Sequence, residues 1–298
     1  MNQSIIEEFK HAFNKPNNEL IQIILINVSI FVLLKIFQVI LTLSGAEDIY
    51  YLILNQLMLP SSLDSLIFKP WTLVTYFFTH EGFFHIIFNM LFLYWFGKLI
   101  VEYLGSKKLV SLYIIGGLIG GVFFIIIYNL LPIFQDRVTT SVLLGASAGV
   151  IAVVVGAATL MPNFTFFLLL LGPVKIKYIA IFYVFLSFAQ TIGANAGGEL
   201  AHLGGAFIGY IYIRQLQKGN DIGTWVNGSL GFLQSFFVRR PKIKVTHKSS
   251  GRMSSRTKQT MTSTRQEEID AILDKISQSG YESLSKEEKQ KLFNASKK

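Results

Sequence analysis

Six apolar stretches limit what this chain can fold into more than any other feature. A helix needs roughly 20 residues to cross about 30 Å of hydrocarbon, and stretches near that length run over 20–43, 83–104, 109–131, 143–161, 177–192 and 200–217. Asn27 and Lys35 lower the hydropathy of the first without removing it as a span. Hydrophobic residues make up 51% of the chain and charged ones only 15%, the wrong balance for a soluble domain of 298 residues. The expected fold class is an all-α polytopic membrane protein, a six-transmembrane-helix bundle. Between the fourth and fifth stretches, PNFTFFLLLLGPVK is too short to cross and is bracketed by Pro162 and Pro173, which reads as a hairpin or a re-entrant piece. The N-terminal MNQSIIEEFKHAFNKPNNE lacks the basic, apolar, small-residue order of a cleavable signal peptide, so the first stretch is expected to be a retained span.

Lysine and arginine placement sets the expected orientation, because short cytoplasmic loops carry the excess of positive charge. Lys10 and Lys15 precede the first stretch, Lys107 and Lys108 separate the second from the third, and Lys175 and Lys177 the fourth from the fifth. Arg214 and Lys218 close the sixth. The alternate loops carry Glu47, Asp48, Asp136 and Glu199, with Arg137 the basic exception. Both termini are therefore expected in the cytoplasm, and stretches two, four and six run inward from the outer face.

That topology gives four polar residues a common depth. His85, Asn89, Ser147 and His202 all fall near the outer ends of inward-running stretches, about 5–10 Å below the outer face at 1.5 Å of rise per residue. Ionisable groups that persist inside a membrane mark functional sites by default, and serine with histidine is the pairing of a nucleophile with its base. Taken singly, each has a plainer explanation. Gly145 and Gly149 flank Ser147 in a GxxxG pattern, and small residues of that kind let membrane helices pack closely. A lone His202 can be a bundle-facing histidine bonded to a carbonyl, and His80 and His85 can be interfacial residues. The conjunction favours a water-accessible cavity open to the outer side. With no cysteine in the chain, disulfides and thiolate metal ligands are excluded, and no metal site is expected.

These ordered motifs resemble the rhomboid intramembrane serine proteases. HEGFFHIIFNMLFLYWFGKLIVEYLGS, with His80, His85 and Asn89, is similar to the family's span-two signature, and LGASAG to its GxSG nucleophile segment. AHLGGAFIG is similar to its base segment, in which a glycine pair four apart follows the histidine, here Gly205 and Gly209. Together with PWTLVTYFFTH, the resemblance covers about residues 71–217. It implies a rhomboid-like six-helix bundle and a serine endopeptidase that works by a Ser-His dyad, with no third acid and no cofactor. Ser147 is then the nucleophile, His202 the base that later protonates the leaving amine, and His85 and Asn89 oxyanion donors beside the Ser147 backbone N–H. Gly205 and Gly209 let the sixth span lie against the fourth, which brings His202 within hydrogen-bond reach of Ser147. Three positions depart from the family pattern. Ala148 follows the serine where glycine is usual, Thr72 follows Trp71 where many members have arginine, and Ile151 stands where some have tyrosine. Glu199, one turn before His202, could orient the imidazole, but its expected place at the water boundary favours a solvated carboxylate.

The expected function is hydrolysis of transmembrane protein substrates near their outer ends in a bacterial cytoplasmic membrane, with those substrates and membrane lipids as partners and no nucleic acid. A non-proteolytic rhomboid-like protein that binds client transmembrane helices is the alternative. Such relatives usually lack one residue of the dyad, whereas Ser147 and His202 are both present. A transporter or channel predicts charges at mid-membrane in several spans, and only Lys35 approaches that.

The expected division is a cytoplasmic N-terminal segment (1–19), the six-helix domain (20–217), an interfacial amphipathic segment (218–240), a basic disordered linker (241–265) and a small cytoplasmic helical hairpin (266–298). Trp225, Phe232, Leu233, Phe236 and Phe237 ahead of a basic run support the interfacial assignment. The linker is rich in Ser, Thr, Lys and Arg with few apolar residues. Thr264 with Glu267, and Ser285 with Glu288, have capping-box spacing, and Ile269, Ile272, Leu273 and Ile276 form one stripe. So small a hairpin holds little core and is expected to dock on a cytoplasmic partner or on the membrane domain. The long connection over 44–82 is expected to hold short interfacial helices.

Overall fold

The computed structural model is mostly helical and describes residues 5–15, 17–168, 172–237 and 268–296. Its contacts divide the chain into two compact units, Met1–Arg239 and Arg240–Lys298. In the first, α1 (Ile5–Asn14) leads into α2 (Glu19–Leu43). The connection that follows is built of short pieces: α3 (Glu47–Asn55), β1 (Leu59–Pro60), α4 (Leu63–Phe68) and α5 (Thr72–Thr75). Then come α6 (Phe83–Leu104), α7 (Ser106–Leu130), β2 (Val142–Leu143) and α8 (Ser147–Leu160). β3 (Thr165–Leu168), β4 (Gly172–Lys175), α9 (Ile176–Ala189), α10 (Ala196–Gln217) and α11 (Thr224–Phe237) complete the unit.

Among the described helices, α2, α6 and α7 are long and apolar enough to cross a membrane. Their side chains are apolar outward as well as inward: Leu33, Phe37, Val39 and Ile40 of α2 are exposed while Leu20, Ile23 and Leu34 are buried. A helix apolar on every side is stable in a core or in lipid, not in water. α8 and α9 are equally apolar but have 14 residues each, about 21 Å of rise. α10 has 22 residues, with Glu199, His202 and Arg214 diluting its hydropathy.

The fourth apolar stretch does not start its helix at residue 143. Leu143 belongs to β2, which pairs antiparallel with β1, Leu59 opposite Leu143 and Pro60 opposite Val142. The helix waits until Ser147 because Gly145 takes a φ of +116°, backbone that no α-helix uses and that side-chain-bearing residues rarely adopt. The proline-bracketed segment forms a β-hairpin, with β3 paired to β4 from Thr165 opposite Lys175 to Leu168 opposite Gly172.

α7, α8 and α10 make the centre of the unit, and glycines set their spacing. A Cβ on Gly116 would strike Ala152, one on Gly120 would strike Ala148 and the Ala201 carbonyl, and one on Gly204 would strike Phe123 and Gly120. Fully buried Leu93, Ile100, Leu112, Tyr113, Phe124, Val153 and Val154 fill the core around them. At the opposite end from Ser147, Ser111 Oγ donates to the Gly223 carbonyl (3.0 Å) and Lys108 pairs with Asp221. Partial burial alone would raise the Asp221 carboxyl, but Lys108 and the Gly223 N–H outweigh it and hold it below its usual value.

In the second unit, α12 spans 268–279 and α13 spans Lys286–Ser296. The Ser285 N–H donates to Glu288 Oε2 (2.7 Å) and the Glu288 N–H to Ser285 Oγ (3.2 Å), a reciprocal capping box. Lys275 bridges to Glu288 (3.0 Å) and Lys291 to Glu268 (3.1 Å), tying α12 to α13. The box expected at Thr264 and Glu267 and the linker over 241–265 lie outside the described residues.

Candidate active site

Ser147 is the first residue of α8. Its backbone N–H therefore lacks an intrahelical acceptor and stands at the positive end of the helix dipole. The approach to it is anchored from the long connection, where the Tyr76 carbonyl accepts from the Gly145 N–H (2.9 Å) next to the β1–β2 pairing. The expected GxxxG packing role of Gly145 is corrected here: Gly145 precedes the helix, and its bare Cα faces the His85 ring. A Cβ there would lie 2.6 Å from His85 Cε1 and 2.8 Å from Nε2. Gly149 is within α8 and packs on Tyr113, whose carbonyl oxygen a Cβ would approach to 2.7 Å.

His85 and Asn89 lie one turn apart on α6, and His80 precedes that helix. His80, which taken alone could be an interfacial residue, is fully buried. Its Nε2 accepts from the Ala146 N–H (3.3 Å) and lies 3.1 Å from Asn89 Nδ2. With both donors aimed at Nε2, the ring proton belongs on Nδ1. Burial, reinforced by the His85 ring 5.2 Å away, pushes His80 down to about 3. His80 is thus a neutral hub that ties the α6 motif to the residue before Ser147.

His202 lies on α10, which reaches α8 through Gly205 and Gly209. A Cβ on either would collide with backbone of α8, at Ala148 and Ala152 respectively. Glu199 is not the solvated carboxylate expected at the water boundary. It is 9% exposed, as is His202, and its Oε2 lies 3.2 Å from His202 Nδ1. Ser187 of α9, 2% exposed, places its Oγ 3.1 Å from the same nitrogen. The Tyr183 ring of α9 stands edge-on to the imidazole, centroids 6.1 Å apart. Neither α9 residue was singled out from sequence. Ser187 left a signal, the one small polar side chain in the apolar run IFYVFLSFA, whereas Tyr183 left none.

Ser147, His85, Asn89 and His202 line one cavity of about 460 Å³, closed further by Phe84, Phe88 and Tyr183. A larger groove of about 690 Å³ between α8, α9 and α10 is nearly all apolar and contains neither serine nor histidine. The serine, both histidines and the asparagine gather in the smaller cavity. Ser147 and His202 both border it, with no hydrogen bond between them among the described residues. The imidazole is held from behind at Nδ1, and its Nε2 has no hydrogen-bond partner among the described residues. Such a space can admit a carbonyl group between the hydroxyl, the free ring nitrogen and the donors of α6.

Residues 68–218, about half of the chain, match the family described as Rhomboid domain. The chain belongs to the rhomboid family. Residues 261–298 match a second, described as a family of unknown function (DUF6576). RHOMBOID-like protein 12, mitochondrial, of Arabidopsis thaliana is 31% identical over 157 residues, which cover 50% of this chain and 47% of that protein. The chain thus spans about half the length of that relative. In this rhomboid-family protein the family match takes in every residue of the cavity, from Phe84 to His202.

Proposed function

We propose that this rhomboid-family protein is an intramembrane serine endopeptidase that cuts transmembrane substrates near the outer face by a Ser147–His202 mechanism. The observation that carries the reading is the convergence of Ser147, His202, His85 and Asn89, from three helices, on one cavity. His202 Nε2 takes the Ser147 proton as Oγ attacks the scissile carbonyl, and later returns it to the leaving amine. The negative charge that develops on the carbonyl oxygen is met by the Ser147 N–H at the α8 terminus, His85 and Asn89. One such donor is typically worth about 3–4 kcal/mol in the transition state. Ser147 and His202 close to hydrogen-bond distance when substrate is bound, since catalytic contacts are often long without it.

In this reading α2, α6, α7, α8, α9 and α10 are six spans, both termini are cytoplasmic and the home is a bacterial cytoplasmic membrane. α8 and α9 reach only part of the bilayer, which leaves water access above Ser147. The C-terminal unit is a small hairpin that docks a cytoplasmic partner and takes no part in the chemistry.

The test is reaction with a serine-directed fluorophosphonate in detergent, alongside cleavage of a reporter transmembrane substrate. Wild-type protein is expected to label and cut, and Ser147→Ala to do neither. Equal labelling of the two proteins refutes the assignment. Wild-type protein that is folded yet inert in both assays supports the non-proteolytic reading, in which the bundle binds client helices.

A further inference from the structure

We infer that Glu199 is a third member of the catalytic group, a positioning residue that fixes the His202 imidazole through Nδ1, with Ser187 supporting it. This deepens the serine-protease reading and rests on it. The pair is buried, each side chain 11% exposed, with Glu199 Oε2 3.2 Å from His202 Nδ1. Ser187 Oγ lies 3.1 Å from the same nitrogen, and the Ser187 and Asn195 side chains also face the carboxylate as donors. A carboxylate removed from water is costly unless it is paired and hydrogen-bonded. Here donors from α9, from the residue before α10 and from α10 itself converge on it.

What Glu199 adds follows from donor and acceptor chemistry. A serine hydroxyl both donates and accepts, so Ser187 alone would tolerate either imidazole tautomer. An ionised carboxylate only accepts, so Glu199 requires the proton on Nδ1 and leaves the Nε2 lone pair for Ser147. When Ser147 Oγ bonds to the carbonyl carbon, the Oγ–H bond breaks, its proton moves to Nε2 and the carbonyl π pair moves to oxygen. The imidazolium so formed carries its charge beside Glu199, which stays ionised. As the intermediate collapses, the C–N bond breaks and the Nε2 proton passes to the departing nitrogen. The attraction between Glu199 and a charged ring exists only after proton transfer, so its loss falls on kcat and spares KM.

The experiment is cleavage kinetics of a reporter transmembrane substrate in detergent, with fluorophosphonate labelling rates and thermal unfolding measured on the same proteins. Glu199→Gln, which can flip and offer Nδ1 either an acceptor or a donor, is expected to lose about 100-fold in kcat with KM within about two-fold. Glu199→Asp, smaller but acceptor-only, should retain more activity than Glu199→Gln, an order that a space-filling role would reverse. Ser187→Ala should lower kcat about five-fold, and it reads the same network if Glu199→Gln fails to fold. A folded Glu199→Gln within three-fold of wild type, Glu199→Asp no better than Glu199→Gln, or an unchanged kcat in Ser187→Ala overturns the inference. If wild type labels, Ser147→Ala does not, and Glu199→Gln labels at the wild-type rate, only the role of Glu199 fails. Wild type that never labels or cuts removes the serine reading and this inference with it.

Discussion

Gly205→Ala is the sharpest single perturbation of the bundle. Gly205 lies where α10 crosses α8, and a Cβ built on it would stand 2.9 Å from the Ala148 carbonyl carbon and 3.2 Å from Ala148 Cα, closer still to the carbonyl oxygen. Carbon atoms in contact settle at about 3.5–4.0 Å, so the helices must separate by roughly 0.5–1 Å. The obstacle is backbone, and no rotamer change relieves it. Overpacking of this kind costs about 1–3 kcal/mol. The larger effect is on chemistry, because Ala148 adjoins Ser147 and Gly205 is one turn from His202. Separation of α8 from α10 therefore enters the distance between the proposed nucleophile and base directly, and misplacement on the order of 1 Å costs about 100-fold in rate. Gly205→Ala is expected to fold, to lose about 1–3 kcal/mol of stability and to label with fluorophosphonate about 100-fold more slowly. Gly228→Ala, where a Cβ meets nothing within 4 Å, is the control and should match wild type in both. Labelling time courses and thermal unfolding in one detergent measure the pair. A folded Gly205→Ala that labels at the wild-type rate would show that the spacing of α8 and α10 does not set the active geometry.

Two further outcomes are expected. His80 is neutral in the folded protein down to about pH 3, while the unfolded chain protonates it near 6.5. Its contribution to stability is thus complete above pH 6.5 and is lost as pH falls from there towards 3, by about 1.4 kcal/mol per unit. Thermal unfolding of wild type and His80→Gln between pH 7.5 and 4.5 (roughly the upper half of that window) should show a flatter profile in the variant, and parallel profiles would contradict the buried neutral ring. In the C-terminal unit, Ser285→Ala removes the hydroxyl that accepts from the Glu288 N–H and should destabilise α13 by about 1 kcal/mol. Amide hydrogen exchange in the first turn of α13 reads this directly, and unchanged protection counts against the capping box.

Helical character, the apolar stretches and the residues worth suspecting were legible in the chain because each is a local property. Hydropathy over some 20 residues needs no tertiary information, and a serine or histidine inside an apolar run stands out wherever the helix packs. Ser187 belongs to the same class, but α9 carries no motif that sets it apart from a packing serine. The start of α8 was legible only in part. Gly145 is visible as a glycine, but its φ of +116° is imposed by the Tyr76 carbonyl, the strand pair and the His85 ring, all of them distant in sequence.

Tertiary structure alone decided the electrostatics around His202. Nothing in GGELAHLGG says whether Glu199 faces water or histidine, because a position one turn before His202 is compatible with either rotamer of a long side chain. α9 settled it by bringing Ser187 and Tyr183 against α10, which buries the carboxylate among the imidazole nitrogen, the Ser187 hydroxyl and the Asn195 side chain. Sequence by itself determined which chemically capable residues this protein owns and that its helices suit a membrane. Their distances and burial depend on how closely glycine-faced helices approach, a property of several segments at once.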